Sequence, residues 1–316
     1  MAHSEQVQAA WVAIDAANRE DPTIVTVRGE TGPKEILHAE LMTTWLERLR
    51  PDASDALLVA ARGHHLRRWT VPRSTYPSGR AGYLKWRKQL HNQHATELGA
   101  IMQAAGFDNA TISSTQSLVR KEGLNRAEPG ADVQILEDAL CLVFLETQFT
   151  DLAARLDPAT LPGVIVKTVH KMSPAGVALI GEVPLGAGAQ RQLAEALARD
   201  TVQRYLDALA AFEWSALAAT LAPNVHRIGP YGDEVHGDDT YAAFLQTTVT
   251  GLSGYALEVV RIAADGGTVT VELNETVDDG GGRLRTDECV VFDVTDGRLV
   301  RVAVYLRAST RSENGG

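Results

Sequence analysis

Cysteine is scarce: Cys141 and Cys289 lie far apart, each inside an apolar run. Disulfide stapling is therefore not expected, and both thiols should be buried and reduced, since free cysteine behaves as a small hydrophobe. No apolar run reaches the roughly 18 residues a spanning helix needs, so no membrane segment is expected. The opening MAHSEQVQAAWVAIDAANRED carries acids and lacks the basic segment of a secretory leader, and a cytoplasmic, soluble protein is the expectation. Basic residues are outnumbered, 30 Lys and Arg against 40 Asp and Glu, a net charge of −10. That balance excludes nucleic acid as a general partner, because such binders carry a basic footprint. Hydrophobic and charged shares of 45% and 22% are ordinary for a globular chain, and 316 residues suffice for two domains.

One stretch departs from this acidity. Residues 61–94, ARGHHLRRWTVPRSTYPSGRAGYLKWRKQLHNQH, hold four histidines, six arginines and two lysines. A local basic pocket in an acidic protein suits a small anionic ligand. Arg67, Arg68, Arg73, Arg80 and Arg87 are candidate anion contacts, since guanidinium meets phosphate or carboxylate bidentately. Trp69, Tyr83 and Trp86 are candidate walls, and Lys121 is a further cation.

Helical spacing covers the first half of the chain. Residues 4–20 form a helix capped by Ser4, ended by Asp21-Pro22, and 23–33 read as a loop with a short extended piece. A helix over 34–49 puts His38 on the inward face of Leu41, Met42, Trp45 and Leu49. The helix over 53–66 carries His64 and His65 near its end; adjacent positions stand about 100° apart, so one of the two faces the same point as His38. Residues 83–105 follow, with His91 and His94 neighbours at i, i+3, then 108–121, ending near Lys121. The helix 134–149 is apolar nearly all round and so central. Asp138 lies in its row Ile135, Leu142, Leu145, Phe149, where a carboxylate is costly unless it meets a cation, a metal or several donors. Glu137, one row over, suits the positive end of the helix dipole.

Proline and glycine thicken over 157–185, where composition alone sets a domain boundary. After an amphipathic helix from Gln190 to about Phe212 the pattern turns to strands at 224–230, 255–263, 267–277, 284–294 and 298–307. Gly-Gly, Asp-Gly-Gly-Gly and Asp-Gly turns between them are hairpin chemistry. Period-2 reading puts Glu275 on a face with Val269, Val271, Leu273 and Val277, and Glu288 on one with Leu284, Val290, Phe292 and Val294. A curved antiparallel sheet wrapped by helices would enclose a cone-shaped pocket with both acids inside, joined by Tyr305 and His226.

The phrases HAELMTTWLERL, HHLRRWTVPRSTYP, GYLKWRKQLHNQHA, LVRKEGL, QILEDALCLVFLE and KMSP, spread over roughly 5–198, resemble a family of uncharacterised bacterial and fungal proteins known only by a placeholder number. That resemblance moves the domain boundary to about residue 198, giving domains 1–198 and 199–316. More distantly, the helical half resembles the HD-domain superfamily of metal-dependent phosphohydrolases and di-iron oxygenases. The resemblance implies metal ligands at His38, His65 (or His64), His94 and Asp138. Leu66 follows His65 where the family's dyad has aspartate, which implies a mononuclear site for a divalent transition metal, iron, manganese or zinc. Residues 199–316, from RYLDALAAFEWSALAATLAPNVHRIGPYG through VHGDDTYAAFL, resemble SnoaL-like, nuclear-transport-factor-2-like proteins, whose members include enzymes using pocket acids and plain dimerisation modules.

These readings give an all-α HD-like domain followed by an α+β cone. The function expected is a metal-dependent enzyme of small-molecule metabolism, hydrolysing an anionic substrate, with Lys121, Glu137, Glu275 and Glu288 as catalytic candidates. The alternatives are an iron- and O2-dependent oxygenase, and a non-catalytic anion-binding protein. A homodimer through the C-terminal domain is expected, with neither nucleic acid nor membrane as partner.

Overall fold

A computed structural model describes residues 3–128, 130–157, 160–278, 280 and 282–312. The chain divides into two compact units, Met1–Thr150 with Thr168–Pro184, and Asp151–Lys167 with Leu185–Gly316.

The first unit is mostly helical. Its elements are α1 (Glu5–Asn18), β1 (Ile24–Val27), β2 (Glu30–Pro33), α2 (Lys34–Leu49), α3 (Asp55–Gly63), α4 (Gly79–Ala104), α5 (Asn109–Arg120) and the part of α6 (Asp132–Arg155) up to Thr150. After α7 (Leu161–Val169) comes the short α8 (Pro174–Ala178). Ser4 caps α1, its side chain accepting from Val7 N at 3.2 Å. The segment 23–33, expected as a loop with a short extended piece, is a β-hairpin within a mostly helical unit. Its two-residue turn, Arg28 and Gly29, has both φ values positive, as the twist of a tight hairpin demands.

The path around the histidines follows from two hydrogen bonds and one close approach. Pro33 gives α2 no side-chain cap; the buried Asp21 supplies one, its Oδ2 accepting from Glu35 N at 3.1 Å. Helix α3 stops at Gly63, three residues earlier than expected, where a Cβ would stand 2.2 Å from Leu98 Cδ2 on α4. His64, His65 and Leu66 then form a turn, and Arg67 takes φ +51°, its N–H donating to Asn18 Oδ1 at 3.0 Å. His65 is thereby set on a turn pinned to α1.

In the second unit α9 (Ala187–Ala210) and α10 (Trp214–Ala218) precede β3 (Leu221–Ile228), β4 (Glu234–His236) and α11 (Asp238–Thr250). Four long strands follow: β5 (Ala256–Asp265), β6 (Thr268–Asp278), β7 (Arg283–Thr295) and β8 (Arg298–Ser312). The sheet order is β4-β3-β8-β7-β6-β5, with β3 and β8 parallel and every other pair antiparallel. The Asp296-Gly297 turn between β7 and β8 has both φ values positive. Of the Asp-Gly-Gly-Gly turn at 279–282, Asp279 and Gly281 lie outside the described residues. Residue 198 falls inside α9, which runs unbroken and packs its buried Val202, Tyr205, Leu206 and Leu209 with sheet residues Val269, Val271, Val290 and Phe292. Among the described residues no helix is long and apolar enough to cross a membrane.

Candidate functional site

Four histidines of the first unit, His38, His64, His65 and His94, lie near one another. His38 on α2 is 6.5 Å from His65, ring centre to ring centre, and His94 on α4 is 6.2 Å from His65. His64 stacks on His65 at 3.9 Å, but its Nδ1 turns to the carbonyl of Ala61 at 3.0 Å. The carboxylate that joins them is Glu35, one helical turn before His38: its Oε2 lies 3.2 Å from His65 Nδ1. One donor atom each from Glu35, His38 and His65 lies within 4.8 Å of the others.

Burial makes this cluster unusual. Glu35, His38 and His94 are 4%, 2% and 1% exposed. Glu35 Oε2, His65 Nδ1 and His64 Nε2 are buried with no partner of hydrogen-bond geometry, while His94 has the Leu66 backbone as a partner. Buried polar atoms are nearly always satisfied, which makes this group of donors the candidate site of the unit. Burial pushes His38 and His94 down to about 4, and His64 and His65 well below the usual imidazole range. For His65 the charges of Arg68 and His94 act in the same direction. The imidazoles are therefore neutral, the form that ligates metals.

Asp138 is fully buried but stands apart from this cluster. Its Oδ1 accepts from Gln134 Nε2 at 2.9 Å and Ser173 N at 2.8 Å, and its Oδ2 from Ser173 Oγ at 2.5 Å. Ser173 is in turn the N-cap of α8. Two of the three donors that offset its burial thus belong to the start of α8, and the carboxylate that lies beside the histidines is Glu35. Glu35 was findable: Glu-x-x-His places both side chains on one face of a helix.

The basic residues do not form one clamp. Arg68 Nη1 lies 3.4 Å from His65 Nε2, and its guanidinium sits 5.2 Å over the Trp86 ring. Arg67 pairs with Glu97 at 3.7 Å. Arg73 is a loop fastener, donating to the carbonyls of Tyr76 and Pro77 at 2.9 and 2.8 Å. Trp86 is buried and donates to the Val71 carbonyl at 2.9 Å, Trp69 is half-buried, and Arg80 and Tyr83 are exposed. Arg87 instead lines a cavity of about 580 Å³ with Lys88, His91, Arg120, Lys121 and Lys171. The acids there are Glu122 and Glu137, and Lys121 donates to Glu137 Oε2. Burial, then Lys121 and Arg87, push His91 down to about 4. Lys121 also depresses His65, so one cation acts on both the cavity and the histidine cluster. Lys88, Arg120 and Lys171 were not singled out in the sequence, and His91 was noted only as a neighbour of His94, because these residues are scattered over α4, α5 and the segment after α7.

The cone has its own pocket, about 420 Å³, in which Glu275 and Glu288 both stand. Leu273 pairs with Glu288, and Glu275 with Thr286, so the acids are diagonal neighbours on one face. Burial, then the charge of Glu275 and a hydrogen bond to it, push Glu288 up to about 8. Tyr255 donates to Glu275 Oε1 at 2.6 Å, while Tyr205 and Tyr241 join hydroxyls at 2.6 Å. Arg227 reaches the pocket, paired with Asp233 and lying 4.6 Å over Phe244. Two expectations fail here. Tyr305 pairs with Cys289, the parity opposite to Glu288, and is 54% exposed; His226 turns out to the edge strand β4.

Residues 8–192 match the family described as a domain of unknown function, DUF4202, and residues 202–302 match the SnoaL-like domain. No curated protein matches the chain. Among solved structures, a candidate ketosteroid isomerase from Kribbella flavida DSM 17836 is 28% identical over 38% of this chain and 84% of its own, with a TM-score of 0.33. An LEH-like epoxide hydrolase from M. tuberculosis is 26% identical over 36% and 84%, TM-score 0.33. An NTF-2 like protein of unknown function from Burkholderia xenovorans LB400 is 17% identical over 38% and 90%, TM-score 0.33.

Proposed function

The chain belongs to the DUF4202 family, and from that premise we propose that its helical unit is a metal-dependent enzyme of small-molecule metabolism that hydrolyses an anionic substrate. One observation carries the reading: Glu35, His38 and His65 converge as a buried carboxylate and neutral imidazoles, one donor atom of each within 4.8 Å of the others. The donor set fits the metal. Its atoms lie close to the span that one ion with bonds of roughly 2.0–2.2 Å bridges, and nitrogen with carboxylate oxygen suits iron, manganese or zinc. His94 stands next in line, and the distant HD-like resemblance belongs to the same proposal.

A divalent metal held there supplies Lewis acidity and makes water a nucleophile near neutral pH. The protein's part is charge and orientation. Arg68, braced on Trp86 beside His65, neutralises substrate charge at the cluster. Arg87, Lys88, Arg120, Lys121 and Lys171 hold the anionic group in the adjoining cavity, where Glu137 fixes Lys121 as a directed donor. In the cone, Glu288 serves as a proton donor and Glu275 as its partner, and the SnoaL-like domain pairs two copies of the chain in the cytoplasm.

A second reading rests on the same donors. Two histidines and one carboxylate are the ligand set of non-haem iron oxygenases, which favours iron and oxidation of an anionic metabolite by O2. The test is elemental analysis of chelator-free, untagged protein beside the His38→Ala/His65→Ala variant, followed by phosphate release and oxygen uptake with the loaded protein. Near-stoichiometric metal lost in the variant is expected. Iron with substrate-dependent oxygen uptake would select the second reading. Metal absent from both proteins would overturn both readings and leave an anion-binding protein.

A further inference from the structure

In the second unit, β3 and β4 bring together a second set of side chains with metal-ligating atoms. His226 and His236 are register partners across the antiparallel pair, with rings 4.3 Å apart and nearly parallel at 11°. Glu234 reaches both: its Oε2 lies 3.0 Å from His226 Nε2 and 3.4 Å from His236 Nε2. One donor atom from each residue lies within 4.8 Å of the other two. Two imidazole nitrogens and one carboxylate oxygen converge without any backbone change. Short strands on a shared register hold them, so no loop has to close.

The surrounding charges leave room for a cation. Arg301 is the β8 register partner of His226, but it is turned to Asp293 at 3.3 Å. Arg227, the next residue along β3, points to the other face and pairs with Asp233. Glu234 is the carboxylate that faces both rings among the described ion pairs. The side chains of His226, Glu234 and His236 are 32%, 53% and 66% exposed, so an ion bound there keeps water in its remaining positions.

We propose that His226, Glu234 and His236 form a solvent-facing site for zinc on the edge of the cone, separate from the buried cluster of the helical unit. Nitrogen and carboxylate donors suit zinc, which takes four ligands and tolerates water as one of them. Bound zinc ties the three-residue strand β4 to β3, holding down the free edge of the sheet.

The experiment is a Zn2+ titration of the full chain against a chromogenic chelator, comparing wild type with His226→Ala/His236→Ala and Glu234→Gln. Loss of an outer-shell partner typically costs roughly 10–100-fold in metal affinity, and loss of a ligand is expected to cost at least as much. Wild type should bind one equivalent more than the double variant, and Glu234→Gln should weaken that equivalent by the same range. The extra equivalent should persist in His38→Ala/His65→Ala, which separates it from the buried cluster. His236→Asn is the fallback should the double variant fold poorly. Equal stoichiometry and affinity in wild type and the edge variants would overturn the proposal.

Discussion

Glu35 and His65 face each other at 3.2 Å, carboxylate Oε2 to imidazole Nδ1, and neither atom has a hydrogen-bond partner of good geometry. Asp138, equally buried, has three donors. The two carboxylates should therefore respond differently to amidation. Glu35→Gln removes the charge of a proposed ligand and is expected to lower metal affinity by at least roughly 10–100-fold. Asp138→Asn should keep the metal and lose stability, by about 1–3 kcal/mol, because a neutral amide meets donors arranged for an anion. Elemental analysis and urea denaturation of the pair distinguish these roles; metal lost from Asp138→Asn alone would reverse the assignment.

Glu288 gives the cone a pH dependence of definite sign. Its folded-state pKa of about 8 lies above the ordinary carboxyl value, so the folded protein holds this proton more tightly than the unfolded chain. Between the two values the folded state binds more protons, and stability falls as pH rises. The contribution is fully present below the unfolded pKa and is lost as pH climbs through 8. Thermal melts between pH 5 and 9 should show wild type declining, and Glu288→Gln, fixed in a neutral form, declining less. Parallel curves would place the acid in water.

What was legible in the sequence followed the strength of the local signal. Period-2 alternation put Glu275 and Glu288 on inward faces, and the pairing of β6 with β7 brings them into one pocket. Helical spacing pointed His38 inward, since Leu41, Met42 and Trp45 share its face and all are buried. Spacing could not say which carboxylate meets that histidine. Asp138 sits in an apolar row because Ser173, from a distant segment, supplies donors there. Tyr205, Tyr241 and Tyr255 converge only through the packing of α9, α11 and the sheet. The parallel pairing of β3 with β8 was hidden likewise, because hairpin turns report only sequential neighbours.

The Lys121–Glu137 pair should behave as a buried ion pair. The side chains are 16% and 7% exposed, so removal of either partner strands a charge away from water. Breaking such a pair from one side typically costs about 3–5 kcal/mol, while replacing both partners costs far less. Lys121→Met is therefore expected to be more destabilising than Lys121→Met/Glu137→Leu. A double-mutant cycle by chemical denaturation gives the coupling, and additive losses would mean the two charges are independently solvated.

Gly176 tests the packing of α8 on Asp138. Glycine inside a helix is ordinarily about 1 kcal/mol worse than alanine, which makes Gly176→Ala stabilising on propensity alone. Here a Cβ would stand 2.7 Å from Asp138 Cγ and 3.0 Å from its Oδ1. Those atoms are held by Ser173 and Gln134, so they cannot swing aside as a free side-chain end would. Overpacking of this kind typically costs about 1–3 kcal/mol, which outweighs the propensity gain. Gly176→Ala should therefore lower the melting temperature. In an Asp138→Ala background the penalty should shrink, because the clashing carboxylate is gone, and contacting sites couple by about 0.5–3 kcal/mol. A rise in melting temperature for Gly176→Ala alone would show that α8 does not rest on Asp138, and the carboxylate would again be available to the histidines.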